Sequence, residues 1–214
     1  MALSKVDYNS LNVTAAASKA LKWNSSADGF ETGDLGGSLV LLSTQTASSS
    51  ATLSFTSDID DTYDEYVFKF INMHPANEDV LFMMNLSVDT GSNWNVTKTT
   101  TLFYAGHDEA DTATSLSYYA AKDLAQSTGY QTISLHPGDD NDQSCSGEMR
   151  LYNPSSTTFV KHFMSRLTVA TYNDYAYDTY CAGYGNTTSA VDGVIFKMES
   201  GNIDSGVIKM YGVT

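Results

Sequence analysis

The stretch from Val80 to Val88 leaves less freedom for the fold than any other part of this sequence. Val80, Phe82, Met84, Leu86 and Val88 are apolar and occupy every second position. Successive side chains of a strand point to opposite sides, so period two marks a strand with one buried face. Asp89-Thr90-Gly91-Ser92 then supplies turn residues. Tyr66, Phe68 and Phe70 repeat the pattern with three aromatics. Phe159, Phe163, Leu167 and Val169 form a further face. Val194, Phe196 and Met198 lead through a Gly201-Asn202 turn into a last run, Val207 to Tyr211. With 14 Tyr and 9 Phe against 3 Pro, such runs favour strands over helices. The expectation is an all-β chain of about ten strands in two packed antiparallel sheets, most economically a jelly roll.

Residues 1–38 differ. Thr14 could cap a short helix through Ala15, Ala16, Ala17 and Ala20, and Gly29, Gly33, Gly36 and Gly37 punctuate the approach to Leu39. Large apolar residues are too few for a separate core. Residues 1–38 therefore read as an N-terminal arm serving attachment, and residues 39–214 as the β-sandwich domain.

The charge balance is 25 acidic against 11 basic residues, a formal net charge of −14. That balance repels phosphates and anionic headgroups, so neither nucleic acid nor membrane is an expected partner. The longest apolar run falls far short of the roughly 20 residues of a spanning helix. Met1-Ala2-Leu3-Ser4-Lys5 lacks the apolar stretch of a secretory signal, which leads to the expectation of a chain made in the cytoplasm. Cys145 and Cys181 are then expected to stay as thiols, and the N-x-S/T triplets beginning at Asn12, Asn24, Asn85, Asn95 and Asn186 to stay bare.

Catalytic patterns are sparse. The sequence holds no G-x-S-x-G elbow, no H-E-x-x-H and no Gly-Lys phosphate loop. Gly183-Tyr184-Gly185-Asn186 lacks the third glycine of a dinucleotide loop and reads as a turn. His74, His107, His136 and His162 are scattered singly. No catalytic residue and no cofactor are expected. Asp58, Asp60, Asp61 and Asp64 are weak Ca²⁺ candidates, because clustered loop carboxylates can supply oxygen ligands. The twelve-residue EF-hand pattern fails, however, with Tyr63 and Lys69 where Gly and Glu belong, and a solvated acidic loop is the plainer reading. Asp139, Asp140 and Asp142 form a second acidic group. Paired carboxylates could serve a glycan-cleaving enzyme, but the facing geometry that requires is not legible in sequence.

The stretch Tyr172 to Tyr180 reads as an aromatic-rich loop and is the best binding candidate, with Tyr172, Tyr175, Tyr177 and Tyr180 interleaved with Asp and Asn. Such tyrosines suit stacking on a sugar or anchoring a protein interface. A tyrosine-rich strand pair facing a neighbouring subunit reads equally well.

Four segments carry a resemblance. Ala51 to Ser57, followed by Ile59 and Tyr63-Asp64-Glu65-Tyr66-Val67-Phe68, is similar to a turn-and-strand pattern of tailed-phage virion β-sandwich proteins. Leu86-Ser87-Val88-Asp89-Thr90-Gly91-Ser92-Asn93-Trp94 resembles the hairpin of that family, and Gly147 to Pro154 resembles one of its strands. The ending, Ile195-Phe196, Gly201-Asn202-Ile203 and Gly206 to Val213, is similar to its closing segment. The start, Met1 to Val6, resembles that of small marine-phage virion proteins. The likeness runs in order over about residues 39–214, and the acidic stretch Asp58–Glu65 and residues 106–146 depart from it. It implies a jelly-roll virion component, found as head decoration or tail-fibre module, and no catalytic residues. The leading expectation is a non-enzymatic capsid decoration or cement protein on the particle surface. Its partners would be major capsid or tail proteins and further copies of itself, a trimer among the forms expected. The alternative is a tail-fibre or receptor-binding module contacting host polysaccharide.

Overall fold

Alternating apolar positions form strands wherever a second sheet can cover them, and that condition is met along most of this chain. The computed structural model describes residues 20–33 and 38–214. The chain divides into two compact units, Met1–Ser38 and Leu39–Thr214. In the first, β1 (Ala20–Trp23) and β2 (Phe30–Gly33) form an antiparallel hairpin. Trp23 stacks on Phe30 with ring centroids 4.4 Å apart, and Lys22 pairs with Glu31 at 3.4 Å. Ala20 is thus a strand residue. The helix expected after Thr14, and the glycines at 36 and 37, lie outside the described residues.

The second unit contains β3 (Leu39–Ser50), β4 (Leu53–Phe55), β5 (Glu65–Pro75), β6 (Phe82–Ser87), β7 (Lys98–Asp108), β8 (Thr114–Tyr118) and β9 (Gln131–Ser134). After these come β10 (Cys145–Tyr152), β11 (Lys161–Ala170), β12 (Tyr175–Gly185), β13 (Gly193–Met198) and β14 (Ile203–Val213). One sheet has the order β3-β14-β5-β10-β11-β12-β7-β8 and the other β4-β13-β6-β9, with every pairing antiparallel. The antiparallel sandwich expected from the sequence forms.

Eight of these strands pair from the ends of the unit inward: β3 with β14, β4 with β13, β5 with β10 and β6 with β9. Two further hairpin segments are inserted in this scheme. β7 and β8 leave between β6 and β9, and β11 and β12 leave between β10 and β13. All four continue the larger sheet beyond β10. With them the unit has twelve strands, against the about ten expected.

The core is aromatic where the two sheets face each other. Phe196 on β13 lies 5.0 Å from the Phe70 ring, 5.5 Å from Phe68, 6.0 Å from Phe82 and 6.3 Å from Phe55. Those rings come from β4, β5 and β6, so one side chain joins both sheets. Tyr66 is buried too, and its hydroxyl donates to the Asp60 carbonyl at 3.0 Å. Val80, Phe82, Met84 and Leu86 are buried as their alternation requires. Val88 is not, at 37% exposed, because β6 has ended at Ser87. Phe159 is 68% exposed for a related reason: β11 begins at Lys161, and its buried row runs Lys161, Phe163, Ser165, Leu167 and Val169.

Asp89-Thr90-Gly91 makes the turn expected, but as a crossing between sheets. Asp89 accepts from Asn93 N at 2.8 Å and Asn93 Nδ2 at 2.7 Å, while Asp192 accepts from Thr90 N at 2.9 Å. Gly91 has φ +81°, and a Cβ there would lie 2.8 Å from Thr56 Cγ2, so this corner favours glycine.

Phe196→Ala should cost about 3–5 kcal/mol in a denaturant titration, as removal of a buried aromatic does, whereas Phe159→Ala should change stability by less than about 0.5 kcal/mol.

Candidate binding surface

Strand alternation splits the tyrosine segment in two. After a tight turn at Thr171–Asp174, residues 175–185 form β12. Tyr175 and Tyr177 share the face that carries buried Thr179 and Cys181, and Tyr180 belongs to the opposite face with Asp178 and Ala182. The four tyrosines therefore do not form one site. Tyr177 packs 4.8 Å from Tyr104 and 5.6 Å from Tyr175, with Tyr119 6.0 Å from Tyr104. Gly106 stands opposite Tyr177 and makes room for its ring, which a Cβ would approach to 2.6 Å. Burial and the neighbouring phenols push the Tyr177 hydroxyl up. Tyr172, in the turn, is exposed and lies 6.3 Å from the His136 ring.

Tyr180 belongs to the more open surface, the outer face of the inserted part of the larger sheet. One row crosses six strands in register: Lys69, Glu148, Arg166, Tyr180, Phe103 and Tyr118. The Phe103 and Tyr180 rings stack at 4.8 Å and 3°. The Arg166 guanidinium lies 4.9 Å from the Tyr180 centroid and holds both oxygens of Asp178, at 3.0 and 2.7 Å. That fork holds the Asp178 carboxyl below its usual range and raises Arg166. Beside it, Arg150 bridges Glu148 at 2.9 Å and Glu65 at 2.7 Å, and Lys69 reaches Glu148 at 3.2 Å. Burial works to raise Glu148, but the hydrogen bonds from Arg150 and Lys69 outweigh it and lower the carboxyl. Both arginines of this acidic chain stand on this one face. Next to the row is an open groove of about 490 Å³, lined by Tyr152, His162, Met164, Ala182, Tyr184 and Thr101. Phe103, Met164, Tyr118 and Leu116 are exposed on this sheet. Charges here are neutralised in pairs between apolar and aromatic side chains, which suits a packing surface better than an ion site.

The Ca²⁺ candidates do not converge. Asp60 Oδ1 accepts from Thr62 N at 2.8 Å and from the Tyr66 hydroxyl at 3.2 Å, which closes the loop between β4 and β5. Asp58 accepts from Ser57 Oγ, and the Asp64 carbonyl accepts from Asn153 N. Among the described residues no three His, Cys, Asp or Glu side chains gather as metal ligands, which counts against Asp58, Asp60, Asp61 and Asp64 as a cation site. The histidines are held singly: His74 Nδ1 by the Gln143 carbonyl at 2.7 Å, His136 Nδ1 by Asp79 at 2.6 Å and His107 by Asp111 at 3.1 Å. Cys145 and Cys181 are unpaired and buried, and burial pushes both thiols up to about 12. Gly183 to Gly185, expected as a turn, are the last residues of β12.

Sequence reasoning missed two buried lysines. Lys161 and Lys98 lie on either side of Gly185 in one register row. Lys98 Nζ donates to Asn85 Oδ1 at 2.5 Å and to the Val96 carbonyl at 2.7 Å. Lys161 Nζ donates to the Phe159 carbonyl at 2.6 Å and the Thr187 carbonyl at 3.3 Å. Their partners are neutral carbonyls. Only the odd-position pattern of β11 and the even-position pattern of β7 hinted that these lysines face inward. Thr100 adds a further tie, donating to Gln131 Oε1 and accepting from Leu124 N at 2.8 Å, which fixes residues 119–131 on the inserted strands.

No protein-family model, curated protein or solved structure matches this chain.

Burial pushes the Lys98 ammonium down to about 8. Below that pH the folded and unfolded chains both carry its proton; above it the folded chain sheds the proton first, so this group's contribution to stability rises with pH. Relative to Lys98→Met, the wild type should gain about 2–3 kcal/mol in chemical denaturation between about pH 7 and about pH 10.

Proposed function

We propose that this chain is a non-enzymatic structural protein of a tailed-phage particle, a capsid decoration or cement protein that packs through the outer face of β10, β11, β12, β7 and β8. The observation that carries this reading is that face: paired charges, stacked Phe103 and Tyr180, and exposed Met164, Tyr118 and Leu116 on a broad sheet. Exposed apolar side chains grouped on one rigid sheet mark a surface made to be covered. The inward pairing of β3 with β14, β4 with β13, β5 with β10 and β6 with β9 supports the finer reading of a jelly roll, with β7–β8 and β11–β12 as insertions. The resemblance to phage virion proteins over residues 39–214 supplies the particle. In this reading the partners are the capsid shell and other copies of the chain, and the site of action is the particle surface.

A tail-fibre module contacting host polysaccharide is the second reading, favoured by the groove between Tyr152, Tyr184 and Met164, since aromatic walls suit the apolar faces of sugar rings.

Immunogold labelling of particles from the genome that encodes this chain should place gold over the head. Gold confined to the tail tip would select the second reading, and particles lacking the protein would contradict both.

A further inference from the structure

The larger sheet has β3 at one edge, and this edge lacks the usual protections. Sheet edges that must stay single are normally short, or carry lysine, proline or inward charge, because every second residue turns an unpaired N–H and C=O outward. β3 is twelve residues long. From Leu35 to Ser57 the sequence has no charged residue and no proline, although 36 of 214 positions are charged, 11 basic and 25 acidic. Leu39, Val40 and Leu41 at its start are 40%, 37% and 52% exposed. At the far end the edge is already occupied: Asn202 Nδ2 donates to the Ser49 carbonyl at 2.8 Å, and Ser50 Oγ accepts from Ser48 N at 3.1 Å. Among the described residues the open part is therefore the uncharged stretch Leu39 to Ala47, which is apolar from Leu39 to Leu42.

We infer that β3 pairs with β3 of a second copy, antiparallel across a two-fold axis beside Leu39 to Ala47, joining two eight-stranded sheets into one. Charge selects this occupant. Two copies at −14 each repel, so they approach best where neither carries charge. A two-fold antiparallel pair also lays the strand against itself, with the residues at the axis beside their own symmetry mates, so a charge there would meet its like. An uncharged strand meets that requirement, and a basic partner would gain nothing from it. This deepens the assembly reading and rests on it for its biological purpose.

The test is the solution mass of the full chain by sedimentation, for wild type, Leu41→Glu and Leu116→Glu. The wild type should be a dimer whose association tightens as salt is raised, because screening removes the repulsion between like-charged bodies. Leu41→Glu should give a monomer with an unchanged thermal transition, while Leu116→Glu, on the opposite edge strand, should remain a dimer. Amide exchange should show Leu39 to Ala47 protected in the dimer and open in Leu41→Glu. A monomeric wild type overturns the inference; if its β3 amides are nevertheless protected, a segment of the same chain covers the edge. A dimer broken by Leu116→Glu and not by Leu41→Glu also overturns it. None of these masses depends on where the protein sits on a particle, so absence from particles would remove the assembly reading and leave the pairing standing.

Discussion

The contact between Phe196 and the rings of Phe55, Phe68, Phe70 and Phe82 is where the two sheets of this protein become one body. Phe196 sits on β13, between β4 and β6, and faces β5 of the other sheet. Edge-to-face and offset aromatic pairs add directional preference to burial. They therefore fix how the sheets are placed as well as holding them together. The inward pairing of the strands is a consequence, because β13 and β5 are brought face to face only when the two ends of the unit fold back on each other.

That seal covers only part of the larger sheet. Beyond β10 the inner face of the inserted strands mixes apolar Leu102, Phe163, Leu167, Val169 and Cys181 with polar groups: Ser165 and Thr179, the Thr100–Gln131 pair, and Lys98 and Lys161 satisfied by carbonyls. A buried ammonium without an anion is costly. Here the cost is reduced by short hydrogen bonds, and what remains of it shows in the lowered proton affinity of Lys98. The inserted strands are thus held by polar ties as well as apolar packing, whereas the other eight strands are joined by aromatic packing. Outside, they widen the sheet into the face on which the proposed packing function depends.

Period two in the sequence identified which side of a strand is buried, and at Val80 to Leu86, Tyr66 to Phe70 and Val194 to Met198 that was enough to find the core. It did not say where a strand stops, which is why Val88 and Phe159, both at apolar positions in phase, are exposed. It could not say which strand is the neighbour, since register and order are set by contacts distant in sequence, such as Cys145 opposite both Val169 and Met73. The tyrosine segment shows the same gap. Its residues read as a loop because Asp and Asn interrupt it, yet as a strand the same spacing sends Tyr177 inward and Tyr180 outward. The outer-face row from Lys69 to Tyr118 takes one residue from each of six strands, and no local pattern announces it. Lysines at inward positions were illegible for a plainer reason, that a lysine ordinarily marks solvent.

The central claim, that the outer face of the inserted strands is the surface by which this protein packs, is open to oxidative footprinting of the isolated chain and of intact particles. The account predicts that Met164, Phe103, Tyr118 and Leu116 oxidise readily in the isolated protein and are protected in the particle, while exposed Phe159 reacts alike in both. Equal oxidation of those four side chains in the two states would contradict it.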